Sequence, residues 1–180
     1  MYAGGTKGKD KDFTYNYDYR NWAEFARAVA EKDPVHFYTA NGGEDFSEYE
    51  HPNIVMNAPV NYDALIFKLA GHSAGLVGSP IPLPDFEDSM PNKLFEYVSA
   101  GIPCIVINAP EAQKFVEEHN LGVGIRDPSD VHEALEQLTK HSVRADRWRY
   151  TMEGQIPALL ALYREILCLK GPRIINQMGG

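Results

Sequence analysis

The sequence has two cysteines, no long apolar run and fewer basic than acidic residues, and each shortage removes a class of function. Cys104 falls in a predicted core strand and Cys168 in the last predicted helix, so neither a disulfide framework nor a cysteine metal site is supported. No apolar stretch approaches the roughly 20 residues that a membrane helix needs. Met1 leads straight into Tyr2-Ala3-Gly4-Gly5, which has no leader pattern, so a cytoplasmic protein is expected. Against 25 Asp and Glu stand 17 Lys and Arg, a formal net charge of −8, which speaks against a nucleic-acid surface because phosphate backbones are held by clustered cations. A single nucleotide is a different case, since one helix start and one or two cations suffice. The histidines, His36, His51, His72, His119, His132 and His141, show no HxxxH or HExxH spacing, so a metal site is not expected. Gly71-His72-Ser73-Ala74-Gly75 spells the GxSxG of serine hydrolases, yet it precedes a predicted strand, whereas a nucleophile elbow follows a strand and opens a helix. Ser73 therefore reads as a loop residue.

What is present is a soluble globular pattern, with 44% hydrophobic and 23% charged residues over 180 positions, long enough for one good core. A first strand is expected at Tyr2 to Gly5, followed by a polar loop from Thr6 to Arg20. A chain that opens directly in a strand is expected to be part of a larger protein. Trp22, Phe25, Ala26, Val29 and Ala30 recur at helical spacing between Asn21 and Lys32. Strands follow at Val35 to Ala40, Asn53 to Asn57, Ala74 to Gly78, Cys104 to Ile107 and Gly122 to Ile125. Helices are expected at Tyr62 to Ala70, from Pro91 to Gly101, at Pro110 to Asn120, Pro128 to Leu138, Val143 to Met152 and Gln155 to Leu169. A loop carrying Pro80, Pro82, Pro84 and Pro91 is expected to lack regular structure. Such alternation predicts an α/β, Rossmann-like, doubly wound parallel sheet of six strands in the order 3-2-1-4-5-6, with helices on both faces. Residues 1–170 form the domain and 171–180 a flexible tail. In that order the ligand crevice lies outside the carboxyl ends of strands 1 and 4. The glycine-rich turn after Ala3 and the loop from Ser79 to Met90 are thereby brought together.

Two motifs meet at that crevice. Asp88 to Asn108 reads as a helix and a buried strand: Pro91 suits the first helical position, Asp88 and Ser89 can cap it, and Gly101 and Pro103 stop it. Asn92, Lys93 and Glu96 share the face of the first turn. Unpaired amides and a positive dipole end suit a phosphate, and a carboxylate one turn in can grip hydroxyls, which together make a sugar-nucleotide grip. The plainer reading of Lys93 and Glu96, an exposed ion pair, is about equally supported by the charges alone. Gly4-Gly5-Thr6-Lys7-Gly8-Lys9 lacks the Walker A spacing, since Ala3 and Asp10 stand where Gly and Ser or Thr are needed, and it lacks a GxGxxG opening into a helix, so NAD is not expected. It offers bare backbone to a diphosphate, with Lys7 or Lys9 as counter-charge.

The run Met90-Pro91-Asn92-Lys93-Leu94-Phe95-Glu96-Tyr97-Val98-Ser99-Ala100-Gly101-Ile102-Pro103, with Ala109-Pro110-Glu111 and Leu121-Gly122-Val123-Gly124-Ile125 after it, resembles the donor-binding C-terminal domain of retaining, group 1 type glycosyltransferases of the GT-B fold. The resemblance extends in outline over the whole chain. It implies a hexosyl-transferring enzyme with a UDP- or GDP-linked sugar as substrate and no further cofactor or metal. By that resemblance Asp88, eight positions before Glu96, faces the transferred sugar as the catalytic carboxylate, with Asp in place of the usual Glu, and Glu96 binds the ribose hydroxyls. Ser89, Met90, Pro91, Asn92 and Lys93 line the diphosphate, with Gly4, Gly5, Thr6 and Lys7 opposite. The nucleobase lies near Ala58, Pro59 and Val60. The family often places an Arg and a Lys on the diphosphate from the first-strand loop and helix; Lys7 and Lys9 stand there without a matching Arg. A GT-B enzyme also has an N-terminal acceptor half, which this chain lacks, so an acceptor domain or subunit is the expected partner, transfer by this chain alone is expected to be absent or nearly so, and any membrane association belongs to that half. The alternatives are half of a sugar-nucleotide epimerase and a non-catalytic nucleotide-binding or interaction module.

Overall fold

The computed structural model describes residues 1–3, 20–39, 45–139, 143 and 147–169. The described residues include β1 (Tyr2–Ala3), β2 (Val35–Tyr38), β3 (Ile54–Asn57), β4 (Gly75–Gly78), β5 (Cys104–Ile107) and β6 (Gly122–Ile125). Between and after them run α1 (Ala23–Ala30), α2 (Tyr62–Leu69), α3 (Asn92–Ala100), α4 (Pro110–Glu118), α5 (Val131–Leu138) and α6 (Met152–Leu169). All ladders are parallel, and they form two three-stranded sheets, β1-β2-β3 and β4-β5-β6. The single six-stranded sheet expected from the sequence is thus not what the ladders make. Each half keeps its expected order, but β1 is only two residues long and forms no ladder with β4. Met1 joins them: its amine donates to Ala74 O at 2.9 Å, and Leu76 N donates to Met1 O at 2.8 Å.

Alternation along the strands sorts the core into two layers. Leu76, Ile105 and Ile107 face α1 and α5, where Trp22, Phe25, Ala26, Val29, Val131 and Ala134 cover them. Val77, Cys104 and Val106 face the opposite way and are covered by Leu69, Leu94, Val98, Ala112 and Val116 from α2, α3 and α4. With helices on both faces, β5 is buried at all four positions, as its unbroken apolar run requires.

The elements differ from expectation mainly at their ends. Helix α1 is shorter than the span from Asn21 to Lys32: its N-cap is Trp22, preceded by a turn in which Asn21 Oδ1 accepts from Ala23 N at 3.0 Å. The proline-rich loop contains one 3-10 turn, Pro84–Phe86, where Pro84 supplies the needed φ at its first position. Pro128–Asp130 is likewise 3-10, held by Asp127 accepting from Ser129 N at 2.9 Å, and α5 follows it. In place of two closing helices there is a 3-10 turn, Arg147–Tyr150, and one long helix, α6, that begins at Met152 and carries Pro157 inside it. The expected tail, 171–180, lies outside the described residues. Among the described residues no helix is long and apolar enough to cross a membrane.

Candidate functional site

The loops that leave β4 and β5 are tied together below α3. Ser79 is fully buried, its N–H donates to Ile107 O at 2.9 Å, and Asn108 Nδ2 donates to Ser79 O at 3.1 Å from a backbone held at φ 48°. Glu111 N donates to Glu87 O at 3.2 Å, which binds the start of α4 to the turn that precedes α3. Helix α3 is clamped in turn against β4. Tyr97 Oη donates to Leu76 O at 3.1 Å inside the core, and its ring lies so close on the strand that a Cβ at Gly75 would stand 2.3 Å from it. The helix ends at Gly101, φ 80°, with Gly101 N donating to Val98 O and Ile102 N to Tyr97 O, a Schellman closure.

The start of α3 departs from the sequence expectation in a way that favours an anion. Pro91 is the extended N-cap residue rather than the first helical one, and it offers no side-chain acceptor. Asp88 and Ser89 do not cap either: Asp88 is exposed, and the Ser89 hydroxyl donates back to Phe86 O at 3.4 Å. Leu94 N donates to Pro91 O at 3.0 Å, while no side chain caps the amides of Asn92 and Lys93, and the dipole end is left uncovered. Lys93, half-buried, points its Nζ to 5.6 Å from the centre of the Tyr2 ring, so the first turn of α3 stands beside β1. Burial lowers the Lys93 pKa; Glu96 pulls it back up, and Arg20 pushes it further down.

Of the expected site residues, Lys93 stands beside Tyr2 of β1 with Glu96 acting on its charge, Asn92 opens the same helix, and Asp88, Ser89, Met90 and Pro91 lead into it. Ala58 and Val60 follow β3, and no described hydrogen bond ties them to α3. Gly4, Gly5, Thr6, Lys7 and Lys9 lie outside the described residues. Arg20, which the sequence reading did not include, lies within electrostatic reach of Lys93. It is the only Arg before α1, at the end of the loop that follows the first strand, and that position was the available signal.

A concavity of about 660 Å³ opens at the amino ends of the strands, between α1, α5 and the segment Gly71–Ala74. It is lined in part by His36, His72 and His132. The His36 and His72 rings are 4.9 Å apart, Tyr38 Oη is 3.5 Å from His72 Nε2, and His132 Nε2 is 3.8 Å from Glu31. Open α/β sheets bind ligands at the other end of their strands, so the α3 turn is the stronger site. Among the described residues no group of three or more His, Cys, Asp or Glu could hold a metal ion.

The sequence model of the glucosyltransferase 3-like, C-terminal domain matches residues 13–147. The chain belongs to this family. Among solved structures, one similar chain is that of the crystal structure analysis of the glycotransferase of kitacinnamycin, with a TM-score of 0.54 and 11% sequence identity. The match covers 91% of this chain but only 42% of that one, and at this identity it speaks for the fold alone. No curated protein matched by sequence. This glucosyltransferase 3-like domain is thus a glycosyltransferase C-terminal domain whose α/β fold recurs within a longer glycosyltransferase chain.

Proposed function

We propose that this domain is the donor half of a retaining GT-B glycosyltransferase, which binds a nucleoside-diphosphate sugar and transfers its hexose to an acceptor held by another domain. The observation that carries the reading is the uncapped start of α3 beside β1, with Lys93 and Glu96 on one turn. In this reading β1 and β4 adjoin as the centre of one 3-2-1-4-5-6 array, and the crevice lies over their carboxyl ends.

The chemistry follows from charge. The bond from the anomeric carbon to the diphosphate oxygen breaks, its electron pair leaves with the diphosphate, and an acceptor oxygen bonds to the same face of the sugar as its proton passes to the departing diphosphate oxygen. Negative charge grows on the leaving group, and the amides at the α3 start, Lys93 and Arg20 are placed to stabilise it without a metal. Glu96 accepts from the ribose hydroxyls, and Asp88 faces the sugar. Gly4, Gly5, Thr6 and Lys7 close the diphosphate from the β1 side, and Ala58 and Val60 border the base, which is uracil or guanine. The acceptor half comes from elsewhere in the protein or from a separate subunit, and the work is cytoplasmic.

Calorimetric titration of the chain with UDP, GDP and ADP tests this. Binding of UDP or GDP, weakened about tenfold or more in Glu96→Ala through loss of charge-assisted hydrogen bonds, is the expected result. No binding to any of the three overturns the donor-site reading and leaves an interaction module. Sugar transfer by these residues alone overturns the division of labour.

A further inference from the structure

The aromatic ring that meets Lys93 is itself fixed from its other sides. Tyr2 is buried, with its ring centre 4.8 Å from that of Trp22 and 5.7 Å from that of Phe37, and Phe37 leans in turn on Tyr49 at 5.3 Å. The Tyr49 hydroxyl accepts from Trp22 N at 2.7 Å, so a hydrogen bond closes the cluster as well as packing. Close packing of this kind leaves the Tyr2 ring one orientation.

Lysine is the opposite kind of side chain. Its compact charge rides on a flexible stem that loses much rotamer freedom when it is placed. Among the described residues neither a hydrogen bond nor a salt bridge holds the Lys93 ammonium; Glu96 favours its charge and Arg20 opposes it, both through the field. What stands against it is the Tyr2 ring, whose centre is 5.6 Å from Nζ, within the range where the negative face of an aromatic ring attracts a cation. Half-burial strengthens that attraction, because less water competes for the charge. A ring also differs from a carboxylate as a partner. It places the ammonium without neutralising it and without using any of its three N–H donors, which stay available to an anion.

We propose that Tyr2 is a positioning residue of the donor site, whose ring face holds the Lys93 ammonium beside β1 with its donors free for the diphosphate. This rests on the reading of the α3 start as that site. The test compares rings of one shape and opposite face charge. Tyr2→Phe keeps the negative face, pentafluorophenylalanine at the same position reverses it, and Tyr2→Leu removes the ring. Without nucleotide, NMR titration of the Lys93 side chain is expected to give the parent midpoint in Tyr2→Phe. With the fluorinated ring the midpoint falls by about half a unit or more, since the pull that favours the ammonium is gone while burial and Arg20 remain. By calorimetry, the tighter-binding of UDP and GDP is expected to bind Tyr2→Phe within about twofold of the parent, and the fluorinated chain and Tyr2→Leu about fivefold less tightly. In a Lys93→Ala background the fluorinated ring costs nothing further. Circular dichroism checks folding, and the fluorinated ring, which leaves no cavity, decides the matter if Tyr2→Leu unfolds. An unchanged Lys93 midpoint with the fluorinated ring, or an equal loss of affinity with and without Lys93, overturns the proposal and makes Tyr2 a packing residue. A parent chain that binds neither nucleotide overturns the donor-site reading and this proposal with it, whereas binding that no ring variant alters overturns this proposal alone.

Discussion

Lys93 is where local chemistry and long-range geometry meet. Three residues before Glu96 on one turn, it was as readable as a surface ion pair; in the fold it stands half-buried beside the Tyr2 ring, and burial, then Arg20, lower its pKa against the pull of Glu96. A partly desolvated ammonium gains from an anion that brings charge-assisted bonds, so Lys93→Ala is expected to weaken UDP or GDP binding about tenfold. Calorimetry at two salt concentrations checks this, with the loss larger at low salt. Gly75 makes a second residue-scale prediction. The Tyr97 ring next to it is buried and tethered to Leu76 O, so it has no room to yield to a Cβ 2.3 Å away. Gly75→Ala is expected to destabilise by about 2–3 kcal/mol, read as a lowered midpoint in urea. The capping roles expected of Asp88 and Ser89 were wrong for a reason invisible in sequence: the 3-10 turn before them offers Phe86 O, and the Ser89 hydroxyl takes it.

At the scale of elements, apolar period and punctuation located most of the helices and strands. Gly122–Ile125 has the expected bounds, and Gly101 ends α3 where expected because only a left-handed residue lets Gly101 N and Ile102 N close on Val98 O and Tyr97 O. Gly101→Ala is expected to cost about 1 kcal/mol from that backbone conformation and to shift thermal unfolding down by a few degrees. Short 3-10 segments were not legible, since each depends on one or two local bonds such as Asp127 to Ser129 N. The start of α6 was placed too late. Its beginning was expected near Gln155, but the Thr151 hydroxyl accepts from Gly154 N at 3.2 Å and Gln155 N donates to Thr151 O, so the helix starts at Met152.

For the molecule as a whole, stability carries a pH signature from the amino end of the sheet. Burial, then the charge of the chain's amino terminus, then His36, lower the His72 pKa to about 4. Below about pH 6.5 the unfolded chain takes up a proton there that the folded chain refuses until about pH 4, so acid favours unfolding across that window. The thermal midpoint is expected to fall between pH 7 and pH 4.5, and less steeply in His72→Gln; identical slopes in the two proteins would remove His72 as the cause. Half-exposure of the ring keeps the effect modest.

Composition, apolar period and the Asp88 to Asn108 motif were enough to determine an α/β parallel fold and a glycosyltransferase resemblance, because burial patterns and turn chemistry are local properties of the chain. Which side chains meet was decided by tertiary structure. Lys93 reaches Tyr2, Arg20 enters the field of Lys93, the sheet is laddered as two halves joined through Met1, and α6 stands uncovered. Each depends on contacts between residues far apart in sequence, and no local pattern encodes a distance across the fold.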